Sequence, residues 1–316
     1  MSDRVLVTGG GGFIGSHLVR GLLSEGYRVS VLDNFLTGRR ENLQEIADDI
    51  ETIREADVRD LQSCMEAAKG VTAVFHLAAL ASVPRSIEEP ILSHEINLTG
   101  TLNMLQAARE NGVSRFIFSS SSAVYGDNPA TPKKEDMEPD PLSPYALHKL
   151  AGEYYCRQYS ALFGLITASL RYFNVFGTRQ DPESQYAAVV PIFMSAILED
   201  EPVRIYGDGE QTRDFVYVGD VVKANLQALG AEGLNGQVMN IAGGEKVTVN
   251  GLLGALETVS GISTERIYTD PRPGDIRHSE ADISAAAVHI GYEPAVGLED
   301  GLQKTFEWFS RCQGTG

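Results

Sequence analysis

Short apolar runs rich in β-branched residues alternate with helical apolar periodicity from the N-terminus to about residue 170. The runs at 5–7, 29–32, 50–55, 73–77, 116–119 and 166–170 read as strands. Between them, 99–111 reads as a helix with Leu102, Leu105 and Ala108 on one face, and Pro144–Phe163 as a longer helix with proline in its first turn. Strand and helix in alternation predict an α/β fold built on a doubly wound parallel sheet. Beyond Phe173 the order loosens, and Pro182, Pro191, Pro202, Pro271, Pro273 and Pro294 punctuate shorter elements. The expected division is a sheet domain over 1–170 and a smaller α/β substrate lobe mainly over 171–316, with some segments returning to the first domain. Neither an internal repeat nor a low-complexity segment stands out.

The first strand runs into Thr8-Gly9-Gly10-Gly11-Gly12-Phe13-Ile14-Gly15, and Ser16-His17-Leu18-Val19 then begins a helix. Residues without side chains let the backbone approach a pyrophosphate closely, and the unpaired N–H groups and positive dipole end of the helix favour the anion. Gly9, Gly12, Phe13, Ile14 and Gly15 are therefore candidate cofactor residues. The second strand ends at Asp33, about twenty residues on, where a dinucleotide-binding Rossmann sheet needs a carboxylate to hold the adenosine ribose hydroxyls. A carboxylate there repels a 2′-phosphate, which predicts NAD over NADP. Arg39 and Arg40 pull slightly the other way, because they are near enough in sequence to reach such a phosphate.

Composition narrows the class of protein. The formal charge of −17 opposes binding to nucleic acid or to an anionic membrane, since the long-range field repels phosphate before contact. No apolar run approaches the roughly 18 residues of a membrane span, and no basic, apolar leader opens the sequence, so a soluble protein is expected. Three cysteines, Cys64, Cys156 and Cys312, lack metal-ligand spacing and suit a reducing cytoplasm better than a disulfide framework. No metal is expected. Against the acidic background, a phosphorylated small substrate needs local arginines.

Two further patterns carry chemistry. Tyr145-Ala146-Leu147-His148-Lys149 places a phenol and an ammonium four residues apart on one helix face, and a cation there favours the phenolate of a group whose ordinary pKa is about 10. Upstream, Ser119-Ser120-Ser121-Ser122 ends a strand, where the Ser121 hydroxyl can relay a proton to a substrate lying across the sheet edge. Together with the glycine turn these make Ser121, Tyr145 and Lys149 a candidate catalytic set. His148, inside the motif, is expected on the helix surface.

With these motifs in place the whole chain resembles the extended short-chain dehydrogenase/reductase superfamily, and within it the NAD-dependent UDP-hexose 4-epimerases. The matching segments are TGGGGFIG from Thr8, LDN from Leu32, ADVRD from Ala56, HLAAL from His76, SSSSAVYG from Ser119, SPYALHK from Ser143, LRYFNVFG from Leu170, YGDGEQTRDFVYV from Tyr206 and RPGDIRHS from Arg272. The resemblance implies further cofactor contacts at Asn34, Thr37 and Gly38, at Asp57 and Val58 near the adenine, at Leu77, Ala78, Ala79 and Asn97 along the dinucleotide, and at Tyr172 and Phe173 near the nicotinamide. It also implies a UDP-sugar site. Asn174, Arg213 and Arg272 hold the pyrophosphate, Ala188, Val189 and Tyr206 border the uracil, Asp275 meets its ribose, and Ser82, Arg85 and Ser279 border the sugar. Guanidinium forks suit that role, because they give charge-assisted, directional bonds to phosphate.

In the mechanism so implied, Tyr145 takes the proton of the C4 hydroxyl, directly or through Ser121, while hydride passes from C4 to NAD. The 4-keto sugar rotates, hydride returns to its other face, and the cofactor stays bound. Lys149 holds the nicotinamide ribose and lowers the tyrosine pKa. Sugar-nucleotide dehydratases carry an Asp-Glu pair where this chain has Ser122 and Ala123, which argues against elimination. UDP-glucuronate 4-epimerase, or another UDP-sugar-modifying member of the superfamily, stays open as an alternative, as does use of dTDP in place of UDP. A different class, a non-catalytic NAD-binding regulator, is opposed by the intact Ser121, Tyr145 and Lys149. Seven positions after Arg272, Ser279 occupies the sugar-pocket gatekeeper position, and its short side chain predicts acceptance of UDP-GlcNAc and UDP-GalNAc beside UDP-Glc and UDP-Gal. ALASVPRS from Ala79 resembles the subgroup that prefers N-acetylated sugars, with Ala81 where that subgroup has glycine. The family's homodimers form through a four-helix bundle, for which Leu150, Tyr154, Tyr155 and Tyr159 are candidate residues.

Overall fold

The computed structural model describes residues 3–181, 189–271 and 277–313. In chain order its main elements are β1 (Arg4–Thr8), α1 (Phe13–Ser24), β2 (Arg28–Asp33), β3 (Thr52–Glu55), α2 (Leu61–Ala67), β4 (Ala73–His76), α3 (Gly100–Glu110), β5 (Arg115–Ser121), α4 (Pro144–Phe163), β6 (Ile166–Tyr172), α5 (Val189–Leu198), α6 (Val218–Gly230), β7 (Gln237–Ile241), α7 (Val249–Ser260) and α8 (Leu298–Gln313). The seven strands form one sheet in the order β7-β6-β5-β4-β1-β2-β3, with every neighbouring pair parallel. Strand order reverses between β1 and β4, and a sheet of this kind takes its ligand at that switch point, beyond the carboxyl ends of the strands.

Alternation along each strand sends side chains to two cores. Val5, Val7, Val29, Val31, Phe75, Ile117 and Leu170 pack with α1 and α6 on one face. Leu6, Leu32, Val74, Phe116 and Phe118 pack with α2, α3 and α4 on the other. A separate cluster joins α5, α7 and α8 with the strand Val203–Tyr206, including Phe193, Met194, Ile205, Leu252, Leu256 and Phe309.

Several boundaries depart from the sequence pattern. Ile50 lies outside β3: it follows the tight turn Ala47–Asp49 and buries its side chain in the first core. β5 runs on through Ser121 and β6 through Tyr172, because the polar residues Ser119, Ser120 and Ser121 keep pairing in register with Leu170, Arg171 and Tyr172. The helix expected from Thr99 is entered through a wider, π-type turn, Glu95–Thr99, before α3 begins at Gly100. α4 matches its expected span: the Ser143 side chain caps its first turn by accepting from the Ala146 N–H, Pro144 fixes the first helical residue, and Gly164 in the left-handed region ends it.

Candidate active site

The glycine turn after β1 is forced by close contacts. A Cβ on Gly15 would collide with the Gly9 carbonyl oxygen, and one on Gly9, itself at φ +72°, would lie 2.7 Å from the Ala78 nitrogen. α1 then begins at Phe13 with no side-chain cap on Gly12, so its first N–H groups face outward for an anion. At the end of β2 the Asp33 carboxylate accepts from the Gly11 and Phe35 N–H groups at 2.8 Å each, which fixes its orientation at the turn. Burial pushes its pKa above the ordinary carboxylate value, against the pull of those donors and of Arg40. Each carboxylate oxygen retains lone pairs for a ribose hydroxyl.

These residues form one side of a cavity of about 520 Å³ along the carboxyl edge of the sheet. Gly9, Gly12, Phe13, Ile14, Gly15, Asp33, Asn34, Thr37 and Gly38 line it, with Val58, Leu77, Ala78, Ala79, Tyr172 and Phe173. Ser121, Tyr145, Lys149 and Asn174 line the same cavity. An uncapped helix end over a glycine turn, a carboxylate lining the cavity at the end of β2 and apolar side chains at the switch point fit a dinucleotide.

Ser121, Tyr145 and Lys149 meet because α4 packs directly on β5. Lys149 is buried, and its Nζ donates to the Ser119 carbonyl at 2.7 Å and lies 5.9 Å from the Tyr145 ring centre. Burial pulls its ammonium down to about 8. Burial pushes the Tyr145 phenol up, and the Ser121 side chain pulls it down. The Lys149 ammonium is held by the Ser119 carbonyl, and the Ser121 hydroxyl accepts from the Ala123 N–H at 3.2 Å.

Apart from Asn174, the other assigned residues that the structure describes do not line this cavity. Asp57 accepts from Asn34 and Arg59, and Asn97 is buried, with its side chain bonded to both backbone groups of Leu80. Ser82 caps the short helix Val83–Glu88 and Arg85 pairs with Glu89, although Ala81 and Val83 beside them do line the cavity. Asn174 donates to the Asp214 carbonyl at 2.9 Å, Arg213 to the Thr212 carbonyl, and the Ser279 N–H to that same Thr212 carbonyl, so these three sit around one strand, Thr212–Asp214. Val189 begins α5 and Tyr206 ends the strand Val203–Tyr206. Ala188, Arg272 and Asp275 lie outside the described residues.

Four further observations revise or extend the sequence reading. His148 is buried, contrary to its expected surface position, because α4 packs against the segment Pro90–His94. Its Nδ1 lies 3.3 Å from Ser93 Oγ and its ring meets His94 edge-on at 5.3 Å. Leu150 and Tyr159 are also buried within the chain, the Tyr159 hydroxyl donating to Gln106, which leaves Tyr154 as the exposed member of the proposed interface set. Arg39 and Arg40 are engaged, with Asp181 at 2.7 Å and with Glu55 respectively. Gln180 lines the cavity and was not anticipated; RQDP from Arg179 was the available signal. Among the described residues no cluster of acidic, His and Cys side chains could hold a metal, and no helix is long and apolar enough to cross a membrane.

A family model described as NAD dependent epimerase/dehydratase matches residues 5–242. The chain is 41% identical over 311 residues to the UDP-glucose 4-epimerase of Mycolicibacterium smegmatis, covering 97% of this chain and 98% of that one. A structure of UDP-N-acetylglucosamine 4-epimerase from Methanobrevibacter ruminantium M1, in complex with UDP-N-acetylmuramic acid, superposes with a TM-score of 0.94 at 43% identity, over 99% of this chain and 100% of that one. The Thermotoga maritima UDP-glucose 4-epimerase with UDP-glucose gives a TM-score of 0.93 at 42% identity, over 98% and 99%.

Proposed function

The chain belongs to the NAD-dependent epimerase/dehydratase family, and from that premise we propose that it is an isomerase, a 4-epimerase of UDP-hexoses. The observation that carries this reading is one cavity lined both by Ser121, Tyr145 and Lys149, from β5 and α4, and by the glycine turn and Asp33. Bound NAD would supply reversible oxidation of the sugar at C4. Gly12, Phe13, Ile14 and Gly15 would hold its pyrophosphate, and Asp33 its adenosine ribose. Tyr145 would take and return the C4 hydroxyl proton, with Ser121 as its hydrogen-bond partner and relay. Lys149, fixed by the Ser119 carbonyl, would bond the second ribose and place a positive charge under the phenol.

For the sugar nucleotide, we assign mainly residues 171–316. Asn174 and Arg213 lie together at the strand Thr212–Asp214, with Ser279 beside them, which supports a pyrophosphate and sugar pocket there. A serine at 279 leaves room for a 2-acetamido group, so both plain and N-acetylated UDP-hexoses are substrates. A homodimer is also proposed. Leu147 and Tyr154, seven residues apart on α4, are exposed, as are Ile87 and Ile91 on the short segments Val83–Glu88 and Pro90–His94 that pack against α4, and these are the apolar side chains offered for it.

The reading is tested by offering UDP-glucose, UDP-GlcNAc and UDP-glucuronate side by side and following each C4 epimer by NMR. Epimerisation of the first two is expected. Turnover of UDP-glucuronate alone would transfer the assignment to the uronate epimerases, and turnover of none would favour a non-catalytic NAD-binding protein.

A further inference from the structure

A buried ion pair lies behind the catalytic wall and takes no part in the chemistry proposed above. Glu153 on α4 and Arg171 on β6 are 2% and 3% exposed, joined by two bonds, Arg171 Nε to Glu153 Oε1 at 2.8 Å and Nη2 to Oε2 at 2.7 Å. Such pairs are weak sources of stability, because the cost of removing both charges from water offsets much of their attraction, and in some proteins they serve instead to fix geometry.

Position supplies that role. Tyr145, Lys149 and Glu153 follow one another at intervals of four on α4, and so share a face. Consecutive residues of β5 meet them in turn. The Ser119 carbonyl accepts from Lys149 Nζ at 2.7 Å, the Ser120 hydroxyl donates to Glu153 Oε1 at 2.5 Å, and the Ser121 side chain acts on the buried Tyr145 phenol, pulling it down against the effect of burial. Arg171 stands opposite Ser120 in the β5–β6 register, so the carboxylate grips both strands at one level. Behind it the Arg171 guanidinium lies 4.7 Å from the Tyr125 ring centre, and the Tyr125 hydroxyl donates to Asn240 on β7 at 2.7 Å. The middle tie of three is therefore anchored across three strands.

We propose that Glu153, braced by Arg171, is a positioning residue for the epimerisation: through Ser120 it locks β5 to α4 and so sets Ser121 and the Ser119 carbonyl against Tyr145 and Lys149. The inference rests on the epimerase reading of this site. Displacing a catalytic group by about 1 Å can cost about 10²-fold in rate, so a tie one residue from Ser121 matters to turnover. The carboxylate also bears on the charge of Lys149. Burial draws the ammonium down, and Cys156 and Glu153 push it back up. Of the other groups around it, burial holds the Cys156 thiol up at about 12 and the His76 imidazole on β4 down at about 3, so both are uncharged at neutral pH. Tyr145 is neutral there too, and Arg171 is held charged, the hydrogen bonds and charge of Glu153 outweighing the effect of burial. Glu153 thus opposes the effect of burial on Lys149.

Ser120→Ala removes the middle tie and leaves the ion pair intact. Its kcat on UDP-glucose should fall about tenfold or more with KM within about twofold of wild type, and Ser120→Thr, which restores the hydroxyl, should recover most of the loss. In Glu153→Gln the Lys149 ammonium, followed by its ¹⁵N resonance in the purified protein and assigned with Lys149→Met, should titrate about half a pH unit or more lower. Wild-type kcat in Ser120→Ala, or a loss that Ser120→Thr leaves unrepaired, would overturn the positioning role, as would an unmoved Lys149 titration. Should Glu153→Gln fail to fold, the two Ser120 variants decide alone. If the wild type turns over no UDP-hexose, it is the epimerase reading that fails, and the Lys149 titration still reports on the seam.

Discussion

At the residue scale, the central group is a phenol that burial alone would keep protonated. Its use as a base depends on the Ser121 hydrogen bond and on the Lys149 charge, each placed by β5. Tyr145→Phe keeps the ring and deletes the proton carrier, so kcat should fall by roughly 10²–10⁴ with UDP affinity little changed, as read from steady-state kinetics and UDP titration. A phenylalanine variant with near-normal kcat would remove Tyr145 from the mechanism. Ser279 carries the specificity claim. Its N–H is fixed to the Thr212 carbonyl and it is mostly buried, so a larger side chain there has little freedom to swing away. Ser279→Tyr should abolish most UDP-GlcNAc turnover and largely spare UDP-glucose, a shift in relative kcat/KM at or above the upper part of the about 1–3 kcal/mol that a methylene-sized pocket change is worth. Equal losses on both sugars would mean that Ser279 does not border the C2 substituent.

At the scale of elements, the site is the seam between β5 and α4, and its spacing depends on Gly152. A Cβ there would lie 2.5 Å from the tip of the fully buried Phe118 ring. Gly152→Ala gains about 1 kcal/mol of helix propensity but overpacks a core at a cost of about 1–3 kcal/mol, so the net effect should be destabilising. A Tm lowered by a few degrees, with kcat reduced because Tyr145 and Lys149 move with the helix, is the expected outcome; an unchanged or raised Tm would show that α4 does not need this close approach. Local patterns made this seam legible in advance. The proline start of α4, the glycine turn and the acid ending β2 each depend on a few neighbouring residues whose chemistry is visible in order along the chain. The features that escaped are set by partners distant in sequence. His148 looks like a surface residue until the segment Pro90–His94 packs over it, and the serines of β5 look like a loop edge until Leu170, Arg171 and Tyr172 pair with them. Gln180 comes from a stretch without periodicity, and only the folded chain carries it to the cofactor cavity.

At the scale of the whole molecule, a chain of charge −17 that takes a diphosphate must concentrate positive potential locally, and the glycine turn at the head of α1 does this with backbone N–H groups at a helix N-terminus. The same chain leaves Leu147 at 54% and Tyr154 at 47% exposure on α4. Leu147→Glu combined with Tyr154→Glu should convert a dimer to a monomer in analytical ultracentrifugation, while the wild type sediments as a dimer; a monomeric wild type would leave that surface without the proposed occupant. An epimerase of this kind inverts C4 by oxidising and reducing the same sugar without releasing the cofactor. Purified protein, with no added NAD, can be given UDP-glucose deuterated at C4 and the UDP-galactose formed examined by NMR. The product should retain deuterium at C4, with no net NADH. Deuterium lost to solvent, or turnover only with stoichiometric added NAD and accumulation of NADH, would rule this mechanism out.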